Sequence, residues 1–134
     1  MNQVAGHIGA GNSVICLVGE DAGERRELVG LLERLDREIL CVDSGEALLA
    51  RLPRDRAFVL IAATNLPGIS GMDLLKDLRH RGVDCPTILI SDESDIPTAV
   101  DAMRAGATDF IERPYIDRVL LRRVQAALED CDQH

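Results

Sequence analysis

The chain has 134 residues, and 15 Lys and Arg against 23 Asp and Glu give it a formal net charge of −8. That length fits one domain burying roughly two-thirds of its unfolded surface, in a core that Leu, Ile, Val and Ala must build because only Phe58, Phe110 and Tyr115 are aromatic. Acidity and few stacking rings argue against direct nucleic-acid binding, and no apolar run approaches the roughly 20 residues a bilayer span needs.

Residues 1–13 (MNQVAGHIGAGNS) read as a flexible N-terminal segment. No basic stretch leads into an apolar one there, so a secretory signal is not indicated and a cytoplasmic protein is expected. The GAGNS stretch lacks the Lys-Ser/Thr ending of a phosphate-binding loop and precedes a strand instead of following one. Residues 14–18 form a short apolar run of the kind a buried strand shows. Leu28, Leu31, Leu32 and Leu35 then recur at helical spacing, and Asp21 with Glu24 reads as a capping box at that helix's start. A second strand is expected at 38–42, and Asp43 with Glu46 reads as another box opening a helix over 44–52.

The unbroken apolar segment 57–63 predicts a central strand. The Pro, Gly, Asn and Ser content of residues 64–71 predicts a loop. An amphipathic helix follows over 72–81, with Leu74, Leu75 and Leu78 inward, and a fourth strand over 86–91. Asp95 reads as N-cap of the next helix, with Pro97 in its first turn and Gly106 ending it. Ile96, Ala99, Val100 and Met103 are its expected buried face. A fifth strand at 108–112 and a helix from about 116, with Leu120, Val124, Ala127 and Leu128 inward, complete the domain at about residue 130. Residues 131–134 read as a tail or the start of a linker. Alternating strands and helices predict a flavodoxin-like (βα)5 fold: a doubly wound five-stranded parallel sheet with helices on both faces.

The four cysteines form no C-x-x-C pair, so neither a zinc site nor a redox motif is supported. Cys16 and Cys41 sit in apolar runs as core thiols, while Cys131, in a polar tail, reads as the exposed one.

In this fold, ligands bind outside the carboxyl ends of the strands. The residues falling there are Gly19, Glu20 and Asp21 after the first strand, Ala63 at the end of the third, Ser91 at the end of the fourth and Arg113 after the fifth. Three stretches, LPGISGMDLL (66–75), DIPTAVDAMRAGATDFIERPY (95–115) and LLRRVQAALE (120–129), make the chain resemble response-regulator receiver domains, most closely those of the FixJ subfamily. The resemblance spans residues 14–130. It implies an acidic pair holding Mg²⁺, an aspartate accepting a phosphoryl group from a histidine kinase, and a Ser/Thr and a Lys contacting the phosphoryl oxygens. Such parts neutralise charge on the transferring group while a carboxylate attacks in line.

Carried over by position, the pattern breaks. The acidic pair becomes Gly19 and Glu20, with Asp21 reading as an N-cap. The phosphoacceptor position, four residues before Pro67, holds Ala63, and its neighbours Ala62 and Thr64 offer no Asp by a one-residue slip. Ser91 keeps its type, and the lysine position holds Arg113. Phe110 matches the family's switch aromatic, with a plain core role equally open. The family usually has a cis peptide before the proline here, Pro114.

A methyl group neither accepts a phosphoryl group nor ligates a metal, so a degenerate, non-enzymatic receiver with weak or absent Mg²⁺ binding is expected. Glu20 is either a solvated carboxylate or, as the sharper hypothesis, the partner of a forked Arg113 contact across the emptied site. The expected role is a phosphorylation-independent regulatory module, working as a homodimer through the 95–130 face, with a DNA-binding helix-turn-helix domain beyond it in the full protein. Asp101, Arg104, Arg118, Arg122 and Arg123 are the candidate cross-subunit charges. The alternatives are a sensor taking a small anion into the emptied pocket and a stand-alone protein-interaction module.

Overall fold

The structure, a computed structural model, describes residues 2–3, 13–92 and 96–132. Its elements are β1 (Asn2–Gln3), β2 (Val14–Val18), α1 (Ala22–Leu32), β3 (Ile39–Val42), α2 (Gly45–Ala50), β4 (Phe58–Ala63), α3 (Gly71–His80), β5 (Thr87–Ser91), α4 (Ile96–Arg104), β6 (Asp109–Glu112) and α5 (Asp117–Asp132). One sheet runs β1-β3-β2-β4-β5-β6. Its five longer strands are parallel, with Ile15 beside both Ile39 and Val59, Ile61 beside Ile88 and Ile90 beside Ile111. The flavodoxin-like doubly wound sheet is therefore present.

One strand is additional. Asn2 and Gln3, inside the segment read as flexible, pair antiparallel with Leu40 and Ile39. Two residues carry no readable period, and only their partner strand makes them β. Residues 4–12 lie outside the described residues.

The parallel strands read as continuous apolar runs because both faces are covered. Ile15, Leu17, Val59, Ile61, Ile88 and Ile90 pack under α1 and α5, against Leu28, Leu31, Leu32, Leu120, Val124 and Leu128. The alternate residues Cys16, Val18, Leu60, Ala62 and Leu89 face Leu48, Leu74, Leu75, Leu78 and Ala102 on the other side. Each fully buried Leu or Ile stabilises the fold by about 1.5–3 kcal/mol relative to exposure. Leu35 falls in a short 3-10 turn after α1 and packs on the first of these clusters.

Local signals set the ends with two changes. Asp21 caps α1, its carboxylate accepting from the Glu24 N–H at 2.9 Å. The cap of α2 is Ser44, not Asp43: Ser44 is extended and its hydroxyl accepts from the Ala47 N–H at 3.1 Å. Neither expected box closes reciprocally, because the carboxylates of Glu24 and Glu46 are used elsewhere. Glu46 instead accepts the Ile69 N–H at 3.1 Å and holds the loop ahead of α3. Gly106, at φ +106°, ends α4 as expected, with the Ala107 N–H returning to the Ala102 carbonyl at 3.0 Å. Asp95, the expected cap of α4, lies outside the described residues.

The α4 face is the clearest correction. Ile96, Val100 and Met103 were expected inside, yet they are 79%, 41% and 50% exposed. The inward residue is Ala102, fully buried, with Ala105 packed beside it on the same cluster. Alanines let the helix lie close to the sheet and leave the bulkier stripe outward. Periodicity identifies a stripe but does not say which way the helix turns it.

The C-terminal end is corrected too. The last helix continues through Asp132, and Cys131, read as the exposed thiol, is 6% exposed and packs with the α1/α5 core. Cys16 and Cys41 are buried, as expected of core thiols.

Candidate functional site

Across the carboxyl ends of β2, β4 and β5 lies a cleft of about 200 Å³ lined by Gly19, Glu20, Asp21, Glu24, Ala63, Thr64, Asn65, Asp92 and Arg113. Its position follows from strand order: β2 has β3 on one side and β4 on the other, so the loops leaving β2 and β4 part above the sheet. Backbone bonds extend the ladders into the loops, with the N–H groups of Gly19, Thr64 and Arg113 donating to the carbonyls of Val42, Ile90 and Ser91 at 3.2, 2.9 and 2.8 Å. The loop after β4 folds back through Gly71, whose N–H donates to the Thr64 carbonyl at 3.0 Å.

Gly19, Glu20, Asp21, Ala63 and Arg113 are thus brought together, as the sequence reading expected. Ser91 is buried and is not among the lining residues. Phe110 is half-buried and packs with the second core cluster. The Arg113–Pro114 peptide is cis.

Arg113 does not take the expected partner. Its guanidinium meets Glu24 at 3.2 Å and Asp92 at 3.0 Å, and among the described residues no ion pair involves Glu20. Glu24 stands on the first turn of α1, aimed across the cleft, whereas Glu20 sits on the loop ahead of it. Sequence reasoning missed Glu24 as a site residue because it was assigned to a cap, and missed Asp92 although it directly follows Ser91. It also missed Arg25, which donates to the Gly19 and Glu20 carbonyls at 2.5 and 2.8 Å and fixes the β2–α1 loop.

These contacts define what the cleft can hold. Among the described residues its side-chain carboxylates are Glu20, Asp21, Glu24 and Asp92, of which Asp21 is engaged in the helix cap and Glu24 and Asp92 by Arg113. Gly19 and Ala63 supply no side-chain oxygen. This donor set does not fit Mg²⁺, which wants near-octahedral oxygen coordination and here would compete with a guanidinium for its ligands. Among the described lining residues, four carboxylates against one doubly paired cation also disfavour the small anion expected as an alternative occupant.

Of the candidate interface charges, Asp101, Arg104, Arg118 and Arg122 are exposed on α4 and α5. Arg123 is exposed but ion-paired within the same chain to Asp109.

A doubly wound parallel sheet, with an acidic cleft where its strand order reverses and a Ser and a cation on the adjoining strand ends, defines a CheY-like α/β receiver fold. Residues 15–125 match the response regulator receiver domain, and the chain belongs to that family. The transcriptional regulatory protein FixJ of Rhizobium meliloti is 35% identical over 113 residues, covering 84% of this chain and 55% of that protein. The C4-dicarboxylate transport transcriptional regulatory protein DctD of Pseudomonas aeruginosa is 36% identical over 115 residues, covering 86% and 25%. This chain therefore spans about half, or less, of the curated relatives it matches. Among solved structures, a response regulator receiver protein from Pseudoalteromonas atlantica superimposes with a TM-score of 0.82 at 41% identity, covering 87% of this chain and 98% of that one. The crystal structure of FixJ-N gives 0.81 at 33% identity, covering 90% of this chain and 96% of that one. Among the described residues no helix is long and apolar enough to cross a membrane.

Proposed function

We propose that this domain is a receiver that has lost the phosphorylation step and acts in the cytoplasm as a regulatory, self-associating module of a DNA-binding transcription regulator. One observation carries the reading: the residue ending β4 at the cleft is Ala63, flanked by Ala62 and Thr64, so no carboxylate stands where the family resemblance puts the acceptor. Gly19 beside it removes a second carboxylate, and Arg113 is engaged by Glu24 and Asp92. The domain therefore works by binding, with no reaction step of its own.

The surface offered for binding is α4. Ile96, Val100 and Met103 form an outward stripe at i, i+4, i+7, and Asp101 and Arg104 flank it. A second copy related by a two-fold axis is the occupant these charges favour: an isologous contact sets Asp101 of one copy against Arg104, Arg118 or Arg122 of the other. Like most such rims, these pairs select the partner more than they strengthen the contact. The transcriptional role is taken from the relatives FixJ and DctD, both transcriptional regulatory proteins, and requires a domain beyond this one.

The test is intact-mass analysis after incubation with acetyl phosphate and Mg²⁺. No phosphoryl increment is expected, and its appearance on the folded domain would overturn the reading. Mg²⁺ alone, at about 10 mM, is expected to leave the melting temperature within about 1 °C, since only ligands that bind the native state raise it.

A further inference from the structure

We propose that the groove between α1 and β3 seats a second copy of this chain, in a two-fold contact that packs α1 antiparallel against the partner's α1. The groove holds about 450 Å³, and Arg26, Val29 and Gly30 of α1, with its C-cap Glu33, wall it beside Cys41 and Val42 of β3. It shares no lining residue with the strand-end cleft. The contact also lies apart from the α4 face and does not depend on it.

Gly30 is the first reason. It stands inside a helix, where only Pro is a poorer former, yet among the described residues nothing lies within 4 Å of the place a Cβ would take. Packing inside the domain therefore does not call for the missing side chain. A bare, exposed stretch of helix backbone instead lets a second helix approach closely.

Charge is the second reason. The charged lining residues are Arg25 and Arg26 against Glu33 and Asp43, so the groove favours neither an acidic nor a basic partner. In a chain of net charge −8, such a balanced patch is where two copies meet with least repulsion. Arg25 is committed to the Gly19 and Glu20 carbonyls, while Arg26 and Glu33 form no ion pair among the described residues. Those two lie seven positions apart on one face, about 10.5 Å along the helix and beyond the spacing at which they pair with each other. With the two-fold axis passing between Val29 and Gly30, Arg26 falls against the partner's Glu33 and Glu33 against the partner's Arg26. Val29 then meets the partner's Gly30. An isologous contact makes each of these pairs twice, so one face supplies both halves of its own complement.

The test is sedimentation equilibrium of the 134-residue chain carrying Val100→Lys, which disables the α4 face and leaves α1 untouched. This chain is expected to dimerise. Adding Gly30→Leu is expected to give a monomer with a raised melting temperature, since the new side chain blocks the crossing while Leu favours the helix. Adding either Arg26→Glu or Glu33→Arg is expected to weaken the dimer by about ten-fold or more, because both cross-subunit pairs become like-charged. Mixing these two charge-reversed chains is expected to restore association, because each supplies the charge that the other lacks. A monomeric Val100→Lys chain, a dimer that Gly30→Leu leaves intact, or reversed chains that stay monomeric when mixed overturns the α1 contact. A native chain that associates no more tightly than Val100→Lys overturns the α4 contact instead, so the two failures are separable.

Discussion

Arg37 and Asp132, 95 positions apart, share a forked contact at 2.8 and 3.4 Å that ties the last turn of α5 to the segment entering β3. Ser13 adds its hydroxyl to the same carboxylate at 2.5 Å. Burial pushes the Asp132 carboxyl up, but the hydrogen bonds from Ser13 and Arg37 outweigh it and hold the group below the ordinary carboxylate range. A carboxylate depressed in the folded state stabilises the fold above its unfolded pKa of about 3.9 and loses that contribution as pH falls through its lower folded value. Asp132 is exposed and solvent screens its charge, so Asp132→Asn is expected to cost about 0.5–1 kcal/mol at pH 7 in urea titrations. The gap to the native chain should close below about pH 4. A gap that stays constant down to pH 2.5 would show that the contact contributes nothing through its charge.

Gly71 opens α3 against the end of β4. A Cβ at this position would stand 2.2 Å from the Ala63 carbonyl oxygen, which is backbone and cannot step aside cheaply. Gly71→Ala is expected to destabilise the domain by about 1–3 kcal/mol and to displace the cleft-lining Thr64 and Asn65. Equilibrium unfolding measures the first effect and amide chemical shifts of residues 63–65 the second. An unchanged midpoint would mean that the loop has room the structure does not show.

The two sides of α4 should respond in opposite ways. Val100→Lys, on the outward stripe, is expected to change stability by no more than about 0.5 kcal/mol while abolishing, in sedimentation equilibrium, the self-association proposed for this face. Ala102→Leu, on the fully buried side, is expected to cost about 1–3 kcal/mol by overpacking. The reverse pattern would restore the inward stripe that periodicity alone suggested.

All four thiols should be slow toward Ellman's reagent at pH 8 in the native protein. Each is buried, and burial raises the thiols of Cys16, Cys41 and Cys85 above their ordinary value, depleting the reactive thiolate. Unfolding in urea is expected to accelerate labelling by about 100-fold or more, as protection requires opening of the core. One equivalent reacting within seconds under native conditions would place Cys131 back on the surface.

Much of this was legible in the chain, because strands covered on both faces and amphipathic helices leave unmistakable periods. The apolar run of β4, the Leu stripes of α1 and α3 and the turn at Gly106 were read where they occur. The composition of the cleft was legible too, since strand ends are fixed by strand limits: Gly19, Glu20, Ala63 and Arg113 come together as placed. Features joining distant segments were not. Which carboxylate Arg113 takes depends on how the first turn of α1 faces the β6–α5 turn, and the Glu24 spacing is identical in a cap and in a bridge. The burial of Cys131 depends on Arg37 and Ser13 holding α5 down at a residue the local polarity marks as tail.

The sequence by itself determined the doubly wound fold, the family and the absence of a carboxylate at position 63, because strand pattern and side-chain type are local properties. Only the tertiary structure decided which side of α4 faces water, where the chain's last helix is anchored and which acids Arg113 joins. Those are matters of rotation and distance between elements, and a one-dimensional period carries neither.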